Sequence, residues 1–235
     1  DNAVYCFAPG SMNKLWIGTE NGINYYLYKS KQLKTFTVTA DGKKVKYVHS
    51  IHELNDTTLW VSTVGEGIVK IILNKNGITP TVKSATRIIL DGGRLASNYF
   101  FTSFQENDSI LWFGNRGYGA HRLNLETGKF TPYKFDNIVN SQMTNDIFAI
   151  YKNENGYWFA TSSGLLHFNQ EDSQHHNKVE LLSKNTAHGI LEDQQNNIWI
   201  STNQGLVRFN PKTHTSQTYD RKNGLEVTEF SDGAF

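Results

Sequence analysis

The sequence is poor in cysteine, with a single one, Cys6, in 235 residues. A disulfide framework within the chain and a zinc site built on thiolates are therefore excluded. Cys6 lies in the apolar stretch Val4-Tyr5-Cys6-Phe7, where a free thiol is expected simply to pack. Proline is scarce as well: four, beside nineteen glycines, a balance that excludes collagen-like and low-complexity classes. No apolar run reaches the roughly 18 residues that a membrane-crossing helix needs. No charged-then-apolar leader opens the chain either. Asp1-Asn2-Ala3-Val4 runs directly into a strand-like stretch, and the expectation is the cut end of a longer polypeptide. Neither charge sign is in excess, with Lys+Arg 23 against Asp+Glu 22, so no global attraction to nucleic acid or to an anionic membrane is implied.

What the chain has is aromatic side chains, 13% of it, which favours strands because flat rings pack well on pleated surfaces. The five tryptophans all stand in one local sentence: Leu15-Trp16-Ile17-Gly18-Thr19, Leu59-Trp60-Val61-Ser62-Thr63, Leu111-Trp112-Phe113-Gly114-Asn115, Tyr157-Trp158-Phe159-Ala160-Thr161 and Ile198-Trp199-Ile200-Ser201-Thr202. Their successive spacings are 44, 52, 46 and 41 residues. Six or seven residues after each comes a glycine (Gly22, Gly67, Gly119, Gly164, Gly205) and then a second apolar run. Strand, glycine-containing turn and strand make a hairpin. An apolar stretch precedes each tryptophan, and polar turns such as Asn124-Leu125-Glu126-Thr127-Gly128 lead to a fourth strand.

Four short antiparallel strands repeated every 47 residues or so (235 over five) predict an all-β chain of about five propeller blades. The blades are placed at about 3–40, 46–90, 98–136, 145–184 and 187–225, with 226–235 starting a further blade of a larger propeller. Two positions after each tryptophan stands a small residue: Gly18, Ser62, Gly114, Ala160, Ser201. It shares a face with the tryptophan and is expected to leave room for the neighbouring blade. Near the end of the third strand a polar residue recurs (Lys70, Arg122, His167, Arg208), which suggests one wetter position per blade.

The stretch from Asn197 through Pro211, and the first copy from Leu15 through Ile23, resemble the two-component-regulator propeller repeat. So does the ending Asn223 through Phe235, which is similar to the passage into another blade. The third copy departs from the pattern at Asn115-Arg116-Gly117-Tyr118-Gly119. In that family the repeats form periplasmic sensor regions of hybrid two-component histidine kinases of Bacteroides-type bacteria, followed by an all-β linker, a membrane helix and a kinase. The resemblance thus implies a periplasmic, non-catalytic ectodomain that recognises an oligosaccharide or other small ligand and works as a homodimer. Its membrane attachment would come through segments absent here.

Chemistry beyond binding is thin. Gly114 through Gly119 has glycines in the order G-x-x-G-x-G but opens a strand, so no helix N-terminus is offered to phosphate. The adjacent His175 and His176, and His49 with His52, do not form a metal set, and no metal or cofactor is expected. Glu192 and Asp193 are read as turn residues. Lys43, Lys44 and Lys46 are read as a solvated loop. No nucleophile elbow is present and no catalytic residue is assigned. Binding is placed on the end of the blades that carries the turns after the tryptophan strands and the connections between blades. There the third copy is the most unusual, with Arg116 as a multi-donor fork and Tyr118 as an aromatic plate, preceded by Arg94 and Asn98. Two alternatives stand beside a sensor: an interaction scaffold that dimerises without binding ligand, and a propeller lyase or glycoside hydrolase.

Overall fold

A computed structural model describes residues 3–75, 78–90, 97–135, 141–169, 178–181 and 185–230. The chain divides into two compact units, Asp1–Ser103 and Phe104–Phe235. The first unit holds two four-stranded antiparallel sheets. One comprises β1 (Val4–Gly10), β2 (Lys14–Thr19), β3 (Gly22–Leu27) and β4 (Gln32–Phe36) in sequential order. A two-stranded ribbon, β5 (Thr39–Ala40) with β6 (Lys43–Lys44), follows. The next sheet runs β7 (Val48–Asn55), β8 (Thr58–Thr63), β9 (Ile68–Leu73) and β10 (Val82–Ile88). The division between units falls inside β11 (Phe100–Asn107), which is ordered with β12 (Ile110–Asn115), β13 (Ala120–Asn124) and β14 (Phe130–Tyr133). After a single turn, α1 (Ser141–Thr144), come β15 (Ile147–Asn153), β16 (Gly156–Thr161), β17 (Gly164–Asn169) and β18 (Lys178–Leu181). The last sheet is β19 (Ala187–Glu192), β20 (Ile198–Thr202), β21 (Gly205–Asn210) and β22 (Thr215–Tyr219). This is the all-β propeller class expected from the tryptophan repeat.

Each sheet is a meander because its turns are written locally. The turns between first and second strands open on Asn55, Asn107, Asn153 and Asp193, whose side-chain oxygens accept from the backbone N–H two residues on, at 2.9–3.0 Å. Four of the tryptophan strands end in threonine, and the hydroxyls of Thr19, Thr63, Thr161 and Thr202 donate to the carbonyls of Gly22, Gly67, Gly164 and Gly205 at 2.6–3.0 Å. The glycine is required by crowding as well as by backbone shape. At Gly205, with φ +113°, an added Cβ would stand 2.3 Å from the carbonyl oxygen of Tyr219 in the fourth strand.

At Gly18 and Ser62 the small residue two places after the tryptophan meets the neighbouring sheet. A Cβ on Gly18 would meet the Val48 carbonyl at 2.6 Å and the Cys6 sulfur at 2.5 Å, and the Ser62 hydroxyl donates to the Thr102 carbonyl at 3.3 Å. Trp16, on the same face, joins Val48, Ile51 and Val61 in the core of the first unit. In the second unit Trp112 packs with Tyr157, Phe159 and Phe168, and Trp158 with Ile190, Ile198 and Phe209. Burial pushes the Cys6 thiol up to about 12, so at neutral pH it is protonated and packs as expected.

The recurrent polar position is not simply wet. It lies directly across the hairpin from the tryptophan: Trp60 opposite Lys70, Trp112 opposite Arg122, Trp158 opposite His167, Trp199 opposite Arg208. Lys70 Nζ stands 5.3 Å over the Trp60 ring, and His167 stacks on Trp158 at 4.1 Å. Indole faces attract cations and flat polar rings, and at Trp60 and Trp158 the cross-strand partner supplies one.

Candidate functional site

Two regions of the repeat carry concentrated polar chemistry. The first lies at the turns between first and second strands. In the second unit Glu106 accepts from the indole Nε1 of Trp112 at 2.7 Å and from Lys152 Nζ at 2.8 Å, with Arg122 Nε 3.7 Å away. Burial alone would raise this carboxyl, but hydrogen bonds from Lys152, Trp112 and Tyr157 outweigh it and hold Glu106 below its ordinary value of 4.5. Tyr157 is raised in turn, by burial and then by its bond to Glu106. Glu192 repeats the arrangement one sheet on, accepting from Tyr151 Oη at 2.6 Å and Asn153 Nδ2 at 3.0 Å. In the first unit Glu53 of β7 accepts from Trp16 Nε1 and from the Ser11 backbone. Glu192 was expected to be a turn residue only; it ties β15 to β19. Asp193 beside it does serve its turn. Desolvation works against its charge, yet bonds from Asn197, Trp199 Nε1 and two backbone N–H groups bring it down to about 2.

Glu53, Glu106 and Glu192 accept between neighbouring sheets and read as clasps, while Asp193 closes its own turn. Their linkage has a definite sign. A carboxyl depressed in the folded state stabilises the fold above its unfolded value and loses that contribution as pH falls through the folded one. Stability should therefore decline below about pH 4.5 for Glu106 and toward about 2 for Asp193. Denaturant midpoints measured from pH 6 downward, for the wild type and Glu106→Gln, check this: the variant should show a shallower acid decline. Superimposable pH curves would remove Glu106 from the account.

The second region is the opposite end of the sheets, where the candidate ligand contacts were placed. Arg94 lies outside the described residues. Asn98, in the first unit, is used through its backbone: its carbonyl accepts from Gly65 N at 2.9 Å and Gly67 N at 3.0 Å, fixing the long turn after β8. Its half-buried side-chain amide takes no hydrogen-bond partner among the described residues. Arg116 and Tyr118 stand in the second unit, on the turn between β12 and β13, Arg116 exposed and Tyr118 half-buried. Lys134 Nζ lies 4.7 Å over the Tyr118 ring, so the aromatic plate already carries a cation on one face. The turn is rigid. Gly119 N donates to the Asn145 carbonyl and Phe135 N to Asn145 Oδ1, both at 2.9 Å. Beneath it, burial and then the Lys134 charge lower His121 to about 4, which keeps this imidazole neutral at neutral pH.

A row of rings at this same end escaped the sequence reading. The register of the first strand slips between Val4 and Cys6, Val48 and Ser50, Ile147 and Ala149, and Ala187 and Gly189. The residues left over at these bulges are Tyr5, His49, Phe148 and His188, all flat rings. In the first unit Tyr5 stacks on His49 at 4.2 Å, and His49 meets Phe101 edge-on at 5.8 Å. In the second unit Phe148 and His188 lie 5.4 Å apart. A signal did exist: Tyr5, His49, Phe101 and His188 each stand eleven residues before a tryptophan, and Phe148 ten. Bulges recur where a side chain is re-aimed out of the alternating pattern.

Among the described residues, no group of three or more His, Cys, Asp or Glu could hold a metal, and no helix is long and apolar enough to cross a membrane. His175 and His176 lie outside the described residues. Lys43 and Lys44 are exposed. A groove of about 650 Å³ runs over the first sheet between Phe7, Ile17, Leu33 and Lys34. It lies on the face of that sheet away from β7.

A family model described as the two-component regulator propeller matches residues 181–204. Histidine kinase P4 of Formosa agariphila is 28% identical over 173 residues, covering 70% of this chain and 12% of its own length. Among solved structures, the extracellular domain of a hybrid two-component system of B. thetaiotaomicron aligns over 100% of this chain and 31% of its own, with TM-score 0.78 and 22% identity. Virginiamycin B lyase from Staphylococcus aureus aligns over 96% of this chain and 72% of its own, with TM-score 0.68 and 16% identity. The chain thus spans about an eighth of the histidine kinase and about a third of the two-component ectodomain.

Proposed function

We propose that this chain is ligand-sensing propeller from the periplasmic part of a two-component receptor, recognising an oligosaccharide and reporting its occupancy through a homodimer to a histidine kinase elsewhere in the parent protein. The observation that carries the reading is the ring-rich loop end of both units, held on backbone-pinned turns. A sugar presents apolar C–H faces to rings and hydroxyls to amides, phenols and guanidinium groups. The two-component match at residues 181–204 supports the signalling half. Occupancy can shift signalling only if the ligand binds one receptor arrangement better than another.

The lyase likeness raises an enzyme as a second reading. Acid–base chemistry asks for titratable groups within reach of one substrate atom. The described carboxylates with altered pKa, Glu106 and Asp193, are instead occupied by indole and amide donors at the other end of the sheets.

Calorimetric titration with a panel of oligosaccharides, on wild type, Arg116→Ala and Tyr118→Ala, tests the sensing reading. Saturable heat in the wild type, weakened about tenfold by either substitution, is the expected result for contact through the third blade. Heat that survives both substitutions would move the contact off that turn, and a silent wild type would favour the scaffold.

A further inference from the structure

The loop end of the first unit holds two exposed tyrosines. Tyr47 and Tyr99 stand immediately ahead of β7 and β11 and are 41% and 40% exposed. Tyr47 has φ +50°, in the left-handed region that bulky side chains seldom enter. Its backbone is clamped there: Tyr47 N donates to the Glu20 carbonyl at 2.8 Å, and Val64 N donates to the Tyr47 carbonyl at 3.0 Å. Glycine would make the same two bonds without strain. The two backbone bonds therefore ask for this conformation and not for a phenol ring. Strain of this kind gathers at ligand clamps.

We propose that Tyr47 and Tyr99 form a stacking platform for a neutral oligosaccharide, backed by the Tyr5–His49–Phe101 ring row and edged by the Asn98 amide. The proposal rests on the sensing reading and moves its principal contact from the third blade's turn to the first unit. Val64 sets the spacing. It bonds to Tyr47 on one side and forms an antiparallel bridge with Tyr99 on the other, so the two tyrosine backbones lie two strand spacings apart, roughly 9–10 Å. Along an extended oligosaccharide that distance covers two sugar repeats, so the two rings would take the first and third sugars of a run. The Tyr99 ring lies over Gly65, where an added Cβ would stand 3.9 Å from it. Behind the platform, His49 is sandwiched between Tyr5 and Phe101, which leaves few rotamers to lose on binding. The platform's own groups, two phenols and an amide, carry no charge and match a neutral sugar, while the exposed charges of this unit are of both signs, Lys43 and Lys44 as well as Glu20. Arg87, a cation of this unit, is engaged by Glu66 at 2.8 Å, and Glu20 on the neighbouring turn is exposed and acidic.

The test is calorimetric titration of the full chain with laminarihexaose, xylohexaose, maltohexaose and tetragalacturonate, on wild type, Tyr99→Ala, Tyr47→Gly and Tyr118→Ala. The expected result is saturable heat with at least one neutral hexaose, weakened about tenfold by Tyr99→Ala and by Tyr47→Gly. Tyr47→Gly adds a readout that a merely structural tyrosine would not give: its thermal midpoint should hold or rise while its affinity falls. Full affinity in both platform variants, or tetragalacturonate as the sole ligand, overturns the platform while sensing stands. A wild type silent toward all four sugars overturns the oligosaccharide reading and the platform with it.

Discussion

Trp112→Ala should destabilise the second unit by about 3–5 kcal/mol, the range for emptying a fully buried aromatic site. The indole is completely buried between Tyr133 at 4.9 Å and Tyr157 at 5.0 Å. Its removal opens a cavity between two sheets that meet through Trp112, Tyr157 and Phe159. It also takes one donor from Glu106, a carboxylate whose side chain is only 9% exposed and whose charge was stabilised by that N–H. Trp112→Phe separates the two effects, since it restores most of the volume and none of the hydrogen bond. Trp199→Ala is the internal control. Its ring is only half-buried and stacks on Tyr219 at 5.4 Å, so its loss should cost about half as much or less. Denaturant unfolding followed by fluorescence measures all three. Equal costs at 112 and 199 would mean that the repeat position, and not its burial, sets the energy.

Gly119→Ala is the second large effect, expected at roughly 2–5 kcal/mol from left-handed strain together with overpacking. With φ +77°, an added Cβ would lie 2.0 Å from the Tyr133 carbonyl oxygen and 3.0 Å from Asn145 Oδ1. Neither can retreat easily. Asn145 is buried and already accepts from Gly119 N through its carbonyl and from Phe135 N through its side chain. Relief must come from moving the 115–119 turn, which carries Arg116 and Tyr118. The variant should thus melt well below wild type and displace Tyr118 from Lys134. Gly117→Ala, at φ +77° but with open space around it, isolates the backbone part and should cost much less. A Gly119→Ala protein that melts with the wild type would refute the crowding argument.

The propeller was legible because its determinants are local. Tryptophan, a small residue two places on, threonine and then glycine fall within nine residues, and each acts on its own hairpin. Gly18 and Val48 show why the small residue had to recur: the neighbouring sheet's backbone arrives there. The cross-hairpin role of Lys70 and His167 was hidden because their regular placement was read as exposure. Counting register back from the turn would have set them opposite the tryptophans. The ring row was hidden for a different reason. A bulge breaks the two-residue period, so Tyr5 or His49 cannot be assigned a side from alternation. Nothing in the sequence marks Tyr47 as left-handed, since that conformation is imposed by Glu20 and Val64 from two other turns. Arg116 and Tyr118 were picked out by the irregular turn around them, and the cation over Tyr118 comes from Lys134, sixteen residues away.

Within each unit the contact between successive sheets is chemically one-way. One face offers an indole, as at Trp16, Trp112 and Trp158, and the receiving face offers branched or aromatic chains such as Val61, Phe159 and Ile200. Such a joint is head-to-tail, and it does not fit its own like face. For a gene built by duplication this has a useful result: inserting or deleting one whole repeat restores the same joint on either side, with no compensating substitution. Copy number can therefore vary while the loop ends change independently of the joint.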